Sequence, residues 1–193
     1  MTSAVISQRV LPRSRVASVV LVVAAAALTA LAAQWEILLP FTPVPITGQT
    51  FAVLLTGAAL GSTLGASGQL LYVAGGALGL PIFSGGAAGW EAARAAGTAG
   101  YLIGFIIAAA LVGFMAERRQ DRQFPTMFTA FILGSFVIYV FGVVGLMLSF
   151  DMSTSQVIAA GVVPFVLGDV IKAAAAGLLL PGAWKLVGEH PRP

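Results

Sequence analysis

The chain has 193 residues, of which 59% are hydrophobic and only 9% are charged, whereas about 25% of the residues in a soluble domain are charged. This composition excludes a soluble globular fold and predicts a single integral membrane domain. The formal net charge is +3, and because the basic residues lie in loops that flank apolar segments, nucleic-acid binding is not expected. The chain contains no cysteine and one histidine, so we expect no disulfide, no metal site and no cofactor.

Six apolar segments follow one another along the chain and predict an all-α integral membrane protein, a bundle of six transmembrane helices. Because a helix needs about 20 residues to cross a hydrocarbon core of about 30 Å, the second and third segments are short, and we expect them to be tilted or shielded within the bundle. The domain organisation expected is an N-terminal segment 1–15, a membrane domain 16–187 and a tail 188–193. The six predicted segments are residues 16–36, 46–60, 64–80, 98–116, 125–150 and 155–187.

Two connections between these segments carry strong turn signals. Residues 40–45 contain three prolines, which lack the backbone N–H and cannot continue a helix. Residues 81–97 form a loop that is rich in Gly and Ala and holds Arg94. With six segments, both connections and a short loop at Asp151 fall on the same side of the membrane.

The distribution of basic residues predicts the orientation of the bundle. With six segments both termini lie on one side, and eight of the ten Lys and Arg residues fall there. Arg94 alone falls on the opposite side, and Lys172 lies within the membrane. Cytoplasmic loops carry the excess of Lys and Arg, so both termini are predicted to be cytoplasmic. The eight residues are Arg9, Arg13, Arg15, Arg118, Arg119, Arg122, Lys185 and Arg192.

Asp169 and Lys172 are the only charged residues of the apolar stretch 162–181 in the last segment, and they lie three positions apart. An ionised side chain at the centre of a membrane helix costs about 2.5–3.5 kcal/mol, so such a pair indicates a functional site. Residues i and i+3 share a helix face and can partly neutralise each other. The pair could bind a ligand with adjacent N–H and C=O groups, such as a cyclic urea; it could tie helices together; or Asp169 could titrate in a proton or sodium relay. Gly161, Pro164 and Gly168 favour the ligand hypothesis, because small and kinking residues allow close approach.

Other polar and aromatic side chains are weaker candidates for a binding site. Arg94 is suited to a carboxylate, but taken alone it fits better as a solvated charge near Glu91 or a contact to a lipid headgroup. Thr47 and Gln49 follow the prolines and could cap a helix or face a pocket. Four aromatic residues could wall an apolar cavity or simply pack: Tyr72, Tyr101, Tyr139 and Phe165.

Small residues and missing motifs bear on partners and activity. Ala26 and Ala30 form an A-x-x-x-A step, which permits close helix contact within the chain or with a partner. No phosphate-binding G-x-x-x-x-G-K-[ST] motif is present, so the chain is not expected to hydrolyse ATP. The predicted membrane segments contain no nucleophile–base pair and no metal cluster, so we expect no catalytic residues and no enzyme activity.

Four motifs in order resemble the BioY family, the biotin-specific substrate-capture (S) components of energy-coupling-factor vitamin transporters. The run P-V-P-I-T-G-Q-T at 43–50 is similar to the P-V-P-[IF]-T-x-Q signature of that family. Leu71-Tyr72 followed by G-A-L-G-L-P-I-F at 76–83 resembles its L-Y…G-x-x-G-L-P-V-F run. The runs G-Y-L-I-G-F at 100–105 and P-F-V-L-G-D-V-I-K-A at 164–173 resemble its G-Y-L-x-G-F and P-F-x-x-G-D-x-x-K-A. The resemblance covers about residues 24–180.

The resemblance implies a six-helix bundle with a vitamin pocket that faces outward. It implies that Asp169 and Lys172 contact bound biotin, whose ureido ring offers adjacent N–H and C=O groups. Arg94 is the candidate for the valerate carboxylate, and residues 41–45 are expected to act as a lid. The expected pocket wall is completed by Thr47, Gln49, Tyr72, Tyr101 and Phe165.

The resemblance also implies partners. Ala26 and Ala30 match the step by which S components dock a transmembrane coupling (T) subunit, and a pair of ATP-binding cassette ATPases would supply energy. The expected location is the cell membrane of a prokaryote, with the lipid bilayer around the bundle. The alternative is a self-sufficient ion-coupled porter in which Asp169 is the titrating group.

Overall fold

The computed structural model describes residues 5–10 and 14–187, and the predicted tail 188–193 lies outside them. Two short strands, β1 (Glu36–Ile37) and β2 (Ile46–Thr47), pair antiparallel, and a 3₁₀ turn covers Ser84–Gly86. The α-helices of the described residues are α1 (Ile6–Val10), α2 (Arg15–Ala33), α3 (Gln49–Leu60), α4 (Ser62–Ala77), α5 (Trp90–Ala95), α6 (Ala99–Glu117), α7 (Phe124–Ser149), α8 (Thr154–Gly161) and α9 (Val163–Val187).

The long helices provide four candidate membrane spans in the described part of the chain. Helices α2, α6 and α7, and α8 together with α9, are long and apolar enough to cross a membrane. Helices α3 and α4 have 12 and 16 residues, which correspond to about 18 and 24 Å of helix. Helix α6 is the most buried of the candidate spans. It packs against α3, α4 and α7, while α2 packs against α3 and α4 and α9 packs against α7.

The connector between α2 and α3 forms a small hairpin instead of extending the flanking helices. Helix α2 ends at Ala33, before the end expected at residue 36, and α3 begins at Gln49, after the start expected at residue 46. Glu36 pairs with Thr47 across the two strands. The prolines of residues 40–45 prevent a helix between the strands. The connector therefore forms a hairpin, in which β1 pairs with β2.

The last apolar segment is broken at Val162 and therefore differs from the single helix expected over 155–187. Val162 has non-helical backbone angles, φ −126° and ψ −58°. Pro164 lacks the N–H that would bind the carbonyl of Ala160 in a continuous helix. The Phe165 N–H donates to the Val162 carbonyl instead of the Gly161 carbonyl. The break therefore leaves two carbonyls, those of Ala160 and Gly161, available to other elements.

Close helix contacts at glycines hold α6 in the centre of the bundle. A Cβ on Gly100 would overlap the Phe141 carbonyl and would lie 2.8 Å from the Gly145 Cα in α7. A Cβ on Gly57 would lie 2.6 Å from the Ala109 carbonyl oxygen in α6. These two glycines therefore serve packing within the chain, where backbones approach closely.

A buried polar network joins α2, α3 and α4. Gln69 in α4 is fully buried, and its amide oxygen accepts a hydrogen bond from the Thr29 hydroxyl (3.2 Å) in α2. Its amide nitrogen donates to the Thr56 hydroxyl (3.0 Å) in α3. Because a buried amide without partners is strongly destabilising in an apolar bundle, this network fixes the three helices relative to one another.

A second contact ties the α6–α7 loop to the end of α9. Asp121 in that loop is fully buried and accepts a hydrogen bond from the Trp184 indole N–H. The Arg122 guanidinium stacks over the Trp184 ring. Burial raises the pKa of the Asp121 carboxyl, and the Trp184 hydrogen bond and the Arg122 charge oppose that rise. The loop is thereby fixed at the end of the bundle that lies opposite the connector hairpin.

We predict that Gly100→Ala destabilises the protein, because the new methyl group overlaps the α7 backbone. Overpacking of this kind costs about 1–3 kcal/mol, so the thermal unfolding midpoint in detergent should fall by about 2–10 °C. The matched control is Gly182→Ala, since a Cβ there meets no atom within 4 Å. Equal unfolding midpoints for the two variants would contradict the packing described.

Candidate ligand-binding site

A cavity that is partly open to solvent lies between α3, α6, α7, α9 and the connector hairpin. Pockets for small molecules typically combine apolar walls with a few polar groups. This cavity has that composition, and its charged lining residues within the described ranges come from α9. Its lining residues are Val44, Pro45, Thr47, Thr50, Thr98, Tyr101, Leu102, Phe105, Ile138, Tyr139, Phe165, Asp169 and Lys172.

Lys172 lies against three acceptors at the polar end of the cavity. Its ammonium is 2.9 Å from Asp169 Oδ1 in the same helix. It also donates to the Thr50 hydroxyl (2.7 Å) and to the Thr47 carbonyl (3.1 Å). An ammonium has three donors, so each has a partner, and Lys172 links α9 to the start of α3.

Asp169 is the acceptor of the same network and is almost fully buried. Besides Lys172, its Oδ1 accepts a hydrogen bond from the Thr50 hydroxyl (3.2 Å) in α3. Its Oδ2 accepts one from the Tyr139 hydroxyl (2.6 Å) in α7. The pair expected from the sequence is therefore the centre of a four-residue network that joins three helices.

Sequence reasoning missed Thr50 and gave Tyr139 only as a possible wall residue. The signal that could have found them is physical. A charge inside an apolar bundle needs hydrogen-bond partners, and hydroxyl side chains in the neighbouring apolar segments are the groups that can supply them. Thr50 follows the P-V-P-I-T-G-Q run directly, and Tyr139 lies in the middle of α7.

Three residues of the expected pocket wall line the cavity: Thr47, Tyr101 and Phe165. The rings of Tyr101 and Phe165 pack with their centroids 6.4 Å apart. The Tyr101 hydroxyl donates to the Gly161 carbonyl (2.6 Å), one of the two carbonyls that the break at Val162 makes available. Tyr101 therefore supports the break and walls the cavity at the same time.

Gln49 and Tyr72 were expected in the pocket wall, but they lie outside the cavity lining. Tyr72 is fully buried in α4, and its hydroxyl accepts from the Gln49 amide (2.7 Å) and donates to the Ile82 carbonyl (3.2 Å). The Gln49 amide oxygen accepts from the Thr47 hydroxyl (2.9 Å). These two side chains fix the loop 81–97 and the hairpin to the helices beneath them.

The connector hairpin closes one side of the cavity with Val44 and Pro45. The Thr42 hydroxyl donates to the Ala160 carbonyl (2.8 Å) and accepts from the Val44 N–H (3.1 Å). The Ala160 carbonyl is free for this bond because Pro164 has no N–H to offer it. A single side-chain hydrogen bond thus joins the hairpin to the break between α8 and α9.

Arg94 lies on an exposed face of α5, and it is not among the residues that line the cavity. Its guanidinium is 3.3 Å from the Glu91 carboxylate, and the two side chains are 53% and 82% exposed. An exposed pair of this kind contributes only about 0–1 kcal/mol. The short helix that carries Arg94 is nevertheless next to the cavity, because the Thr98 hydroxyl donates to the Ala93 carbonyl (3.1 Å).

The structure places the Ala26 and Ala30 step toward the bundle. Ala26 is buried, and Ala30 packs against the core. The large apolar side chains that α2 exposes are Val16, Val19, Val20, Val23, Leu28 and Leu31. A partner that docks on α2 would therefore meet these exposed side chains first.

In the described ranges 5–10 and 14–187, no three Asp, Glu, His or Cys side chains are grouped to hold a metal ion.

Comparison with known proteins gives the family. Residues 4–189 match the family model of the BioY family. The chain belongs to the BioY family. A protein of Rhizobium etli named biotin transporter BioY is 37% identical over 162 residues, which cover 80% of this chain and 86% of the relative. The biotin transporter BioY of Thermotoga maritima is 36% identical over 142 residues, which cover 73% of this chain and 81% of the relative. This is a family of transporters, not of enzymes.

A solved structure has the same fold as this BioY-family chain. The crystal structure of the S-component for biotin from an ECF-type ABC transporter matches with a TM-score of 0.77 and 22% identity. The match covers 87% of this chain and 90% of that chain. This chain therefore shares the fold of that S-component.

We predict that Lys172→Met destabilises the BioY-family chain by about 3–5 kcal/mol, because it leaves a buried carboxylate without its cation. The double variant Asp169→Asn/Lys172→Met should recover most of this loss, since the amide oxygen can accept from the Tyr139 hydroxyl while the amide nitrogen donates to the Thr50 hydroxyl. Thermal unfolding in detergent measures both effects. A double variant that is less stable than Lys172→Met would show that the two residues do not act as a neutralising pair.

Proposed function

We propose that the chain is a substrate-capture component that binds biotin from outside the cell and mediates its uptake. Membership of the BioY family and the names of its relatives support this function. The observation that carries it is the Asp169–Lys172 pair at the polar end of an otherwise apolar cavity. Such a site suits a ligand that has one compact polar group on an apolar body.

The ureido ring of biotin fits this polar end. One of its N–H groups would donate to the Asp169 carboxylate, and its carbonyl would accept from Lys172. Lys172 holds the Thr47 carbonyl through its longest bond, at 3.1 Å, and we infer that it exchanges this bond for the ligand carbonyl. The apolar bicyclic body would then lie against the ring of Phe165 and the other apolar side chains of the wall.

Arg94 remains our candidate for the valerate carboxylate. Its ion pair with Glu91 is exposed and weak, so breaking this pair costs the guanidinium little free energy. The contact between Thr98 and Ala93 puts α5 beside the cavity. We infer that Arg94 turns to the mouth of the cavity and binds the carboxylate there, with the bidentate geometry that guanidinium groups favour.

We also propose that α3 and α4 lie within the membrane and complete a bundle of six spans with α2, α6, α7 and the α8–α9 unit. Their apolar composition supports this arrangement, and packing against α6 would shield their short ends. The excess of Lys and Arg in the loops then favours cytoplasmic termini. With that orientation the connector hairpin and the cavity face the outside of a prokaryotic cell.

Partners would supply the energy for uptake. The sequence has no phosphate-binding loop, so we propose a coupling membrane subunit and a pair of ATP-binding cassette ATPases. The apolar side chains that α2 exposes are available to such a subunit. Ala30, which is partly buried at the edge of the bundle, could contribute to a contact of that kind.

Calorimetric titration of the purified chain with biotin in detergent should give saturable one-to-one binding. Asp169→Asn should weaken it about 10- to 100-fold, the range expected for hydrogen bonds to a charged group. Asp151→Asn, in an exposed loop, is the matched control and should bind as the wild type does. Desthiobiotin, which retains the ureido group, should show the same dependence on Asp169. No binding by folded wild-type protein, or normal binding by Asp169→Asn, would contradict the proposed site.

The connector hairpin is proposed to act as a lid, with the Thr42–Ala160 bond as its latch. Thr42→Val removes this bond, together with the bond that the hydroxyl accepts from the Val44 N–H, and keeps the shape of the side chain. The dissociation rate of biotin should rise about 3- to 10-fold, in line with a net hydrogen-bond contribution of about 0.5–1.5 kcal/mol.

The matched control for the latch is Thr129→Val, because the Thr129 hydroxyl donates only to the Pro125 carbonyl of its own helix. Stopped-flow displacement of a fluorescent biotin derivative measures the rates. If Thr42→Val and Thr129→Val release the ligand at the same rate, the Thr42 bond does not hold the lid.

A further inference from the structure

We propose that Tyr139 is a specificity-determining residue of the ligand site, which orients the Asp169 carboxylate and presents a second acceptor to the ligand N–H. This inference rests on the proposed function, the binding of a ureido ligand at Asp169 and Lys172. Tyr139 lies 30 residues from Asp169 in the chain, on α7, and its hydroxyl is 2.6 Å from Asp169 Oδ2. This is the short distance typical of an O–H donor on a carboxylate.

The two carboxylate oxygens of Asp169 accept different numbers of hydrogen bonds. Oδ1 accepts from Lys172 at 2.9 Å and from Thr50 at 3.2 Å. Oδ2 accepts from Tyr139 in the described part of the chain. A carboxylate oxygen has about two lone-pair positions, so Oδ1 is filled and Oδ2 keeps one position. A ligand N–H is therefore directed to Oδ2, beside the Tyr139 hydroxyl.

The Tyr139 hydroxyl directs its hydrogen to the Asp169 carboxylate. The Asp169 carboxylate is an acceptor, so Tyr139 must donate to it. The phenolic oxygen then faces the ligand only through its remaining lone pairs. Because Tyr139 itself lines the cavity, the Oδ2–Tyr139 edge of the site consists of acceptors.

This edge makes the site selective for a ligand that carries an N–H group at that position. A ureido nitrogen that carries hydrogen can donate to the edge, whereas an oxygen or an alkylated nitrogen at the same place would leave two buried acceptors unpaired. Sites built to bind a ligand N–H discriminate strongly against analogues that lack it, because their own polar groups then lose their partners. Tyr139 thus contributes to the choice of ligand, in addition to the charged pair.

A packing role alone would have a different signature. The Tyr139 ring could fill space between α7 and α9 without any effect that depends on Asp169. Tyr139→Phe keeps the ring and removes the hydroxyl only. Coupling between this change and a change at Asp169 therefore separates positioning from packing, since residues that act through one another give non-additive effects.

The experiment is a double-mutant cycle of Tyr139→Phe and Asp169→Asn, measured by equilibrium binding of radiolabelled biotin to the full chain in detergent. We expect Tyr139→Phe to weaken binding about 10-fold in the wild-type background and by less than about 3-fold in the Asp169→Asn background. Competition with biotin methylated on a ureido nitrogen should show reduced discrimination in Tyr139→Phe. Thermal unfolding of each variant checks that it is folded.

The matched control is Tyr101→Phe. Tyr101 also lines the cavity, but its hydroxyl donates to the Gly161 carbonyl and not to Asp169. Its fold-change should therefore be the same in both backgrounds. An equal fold-change for Tyr139→Phe in both backgrounds, or wild-type binding by Tyr139→Phe, would overturn the inference while leaving biotin binding established. A folded wild type that does not bind biotin would instead contradict the proposed function itself.

Discussion

The arrangement of the bundle around the cavity depends on the need to neutralise Asp169 and Lys172 away from water. Each charge is stable there only with a partner and with hydrogen bonds for its remaining donors or acceptors. Lys172 meets this need with Asp169, Thr50 and the Thr47 carbonyl, and Asp169 adds Tyr139. Helices α3, α7 and α9 therefore cannot separate without exposing a charge to an apolar environment.

The same constraint applies to the backbone at the break between α8 and α9. In an apolar bundle a carbonyl that leaves its helix needs another donor. Pro164 has no N–H for the Ala160 carbonyl, and the turn at Val162 directs the Phe165 N–H to the Val162 carbonyl and away from the Gly161 carbonyl. The donors come from Thr42 in the hairpin and Tyr101 in α6. The helix break thus determines which side chains close the cavity, and its two carbonyls connect the hairpin to the wall.

Sequence reasoning succeeded where one segment carries its own evidence. Apolar length located the long helices, and the cost of charge in a membrane singled out Asp169 and Lys172. It failed where the outcome depends on contacts between distant segments. The hydrogen bond from Tyr139 to Asp169 joins residues 30 positions apart. Nothing in the local sequence distinguishes Tyr139 from Tyr72, whose hydroxyl binds Gln49 and the Ile82 carbonyl instead. Periodicity cannot tell a pocket-facing tyrosine from one that fixes a loop.

The short length of α3 explains how a loop motif can reach a charged pair inside the bundle. Lys172 is nine residues from the start of α9 at Val163, a depth of about 14 Å along the helix. Helix α3 begins at Gln49 and has 12 residues. Its start lies beside Lys172, because the Thr47 carbonyl just before the helix and the Thr50 hydroxyl in its first turn meet the ammonium. A full-length helix would carry its first turn toward the membrane surface and would present apolar side chains at that depth. The proline-rich run therefore does more than stop a helix: it allows polar backbone and hydroxyl groups to enter the bundle where the charges need them.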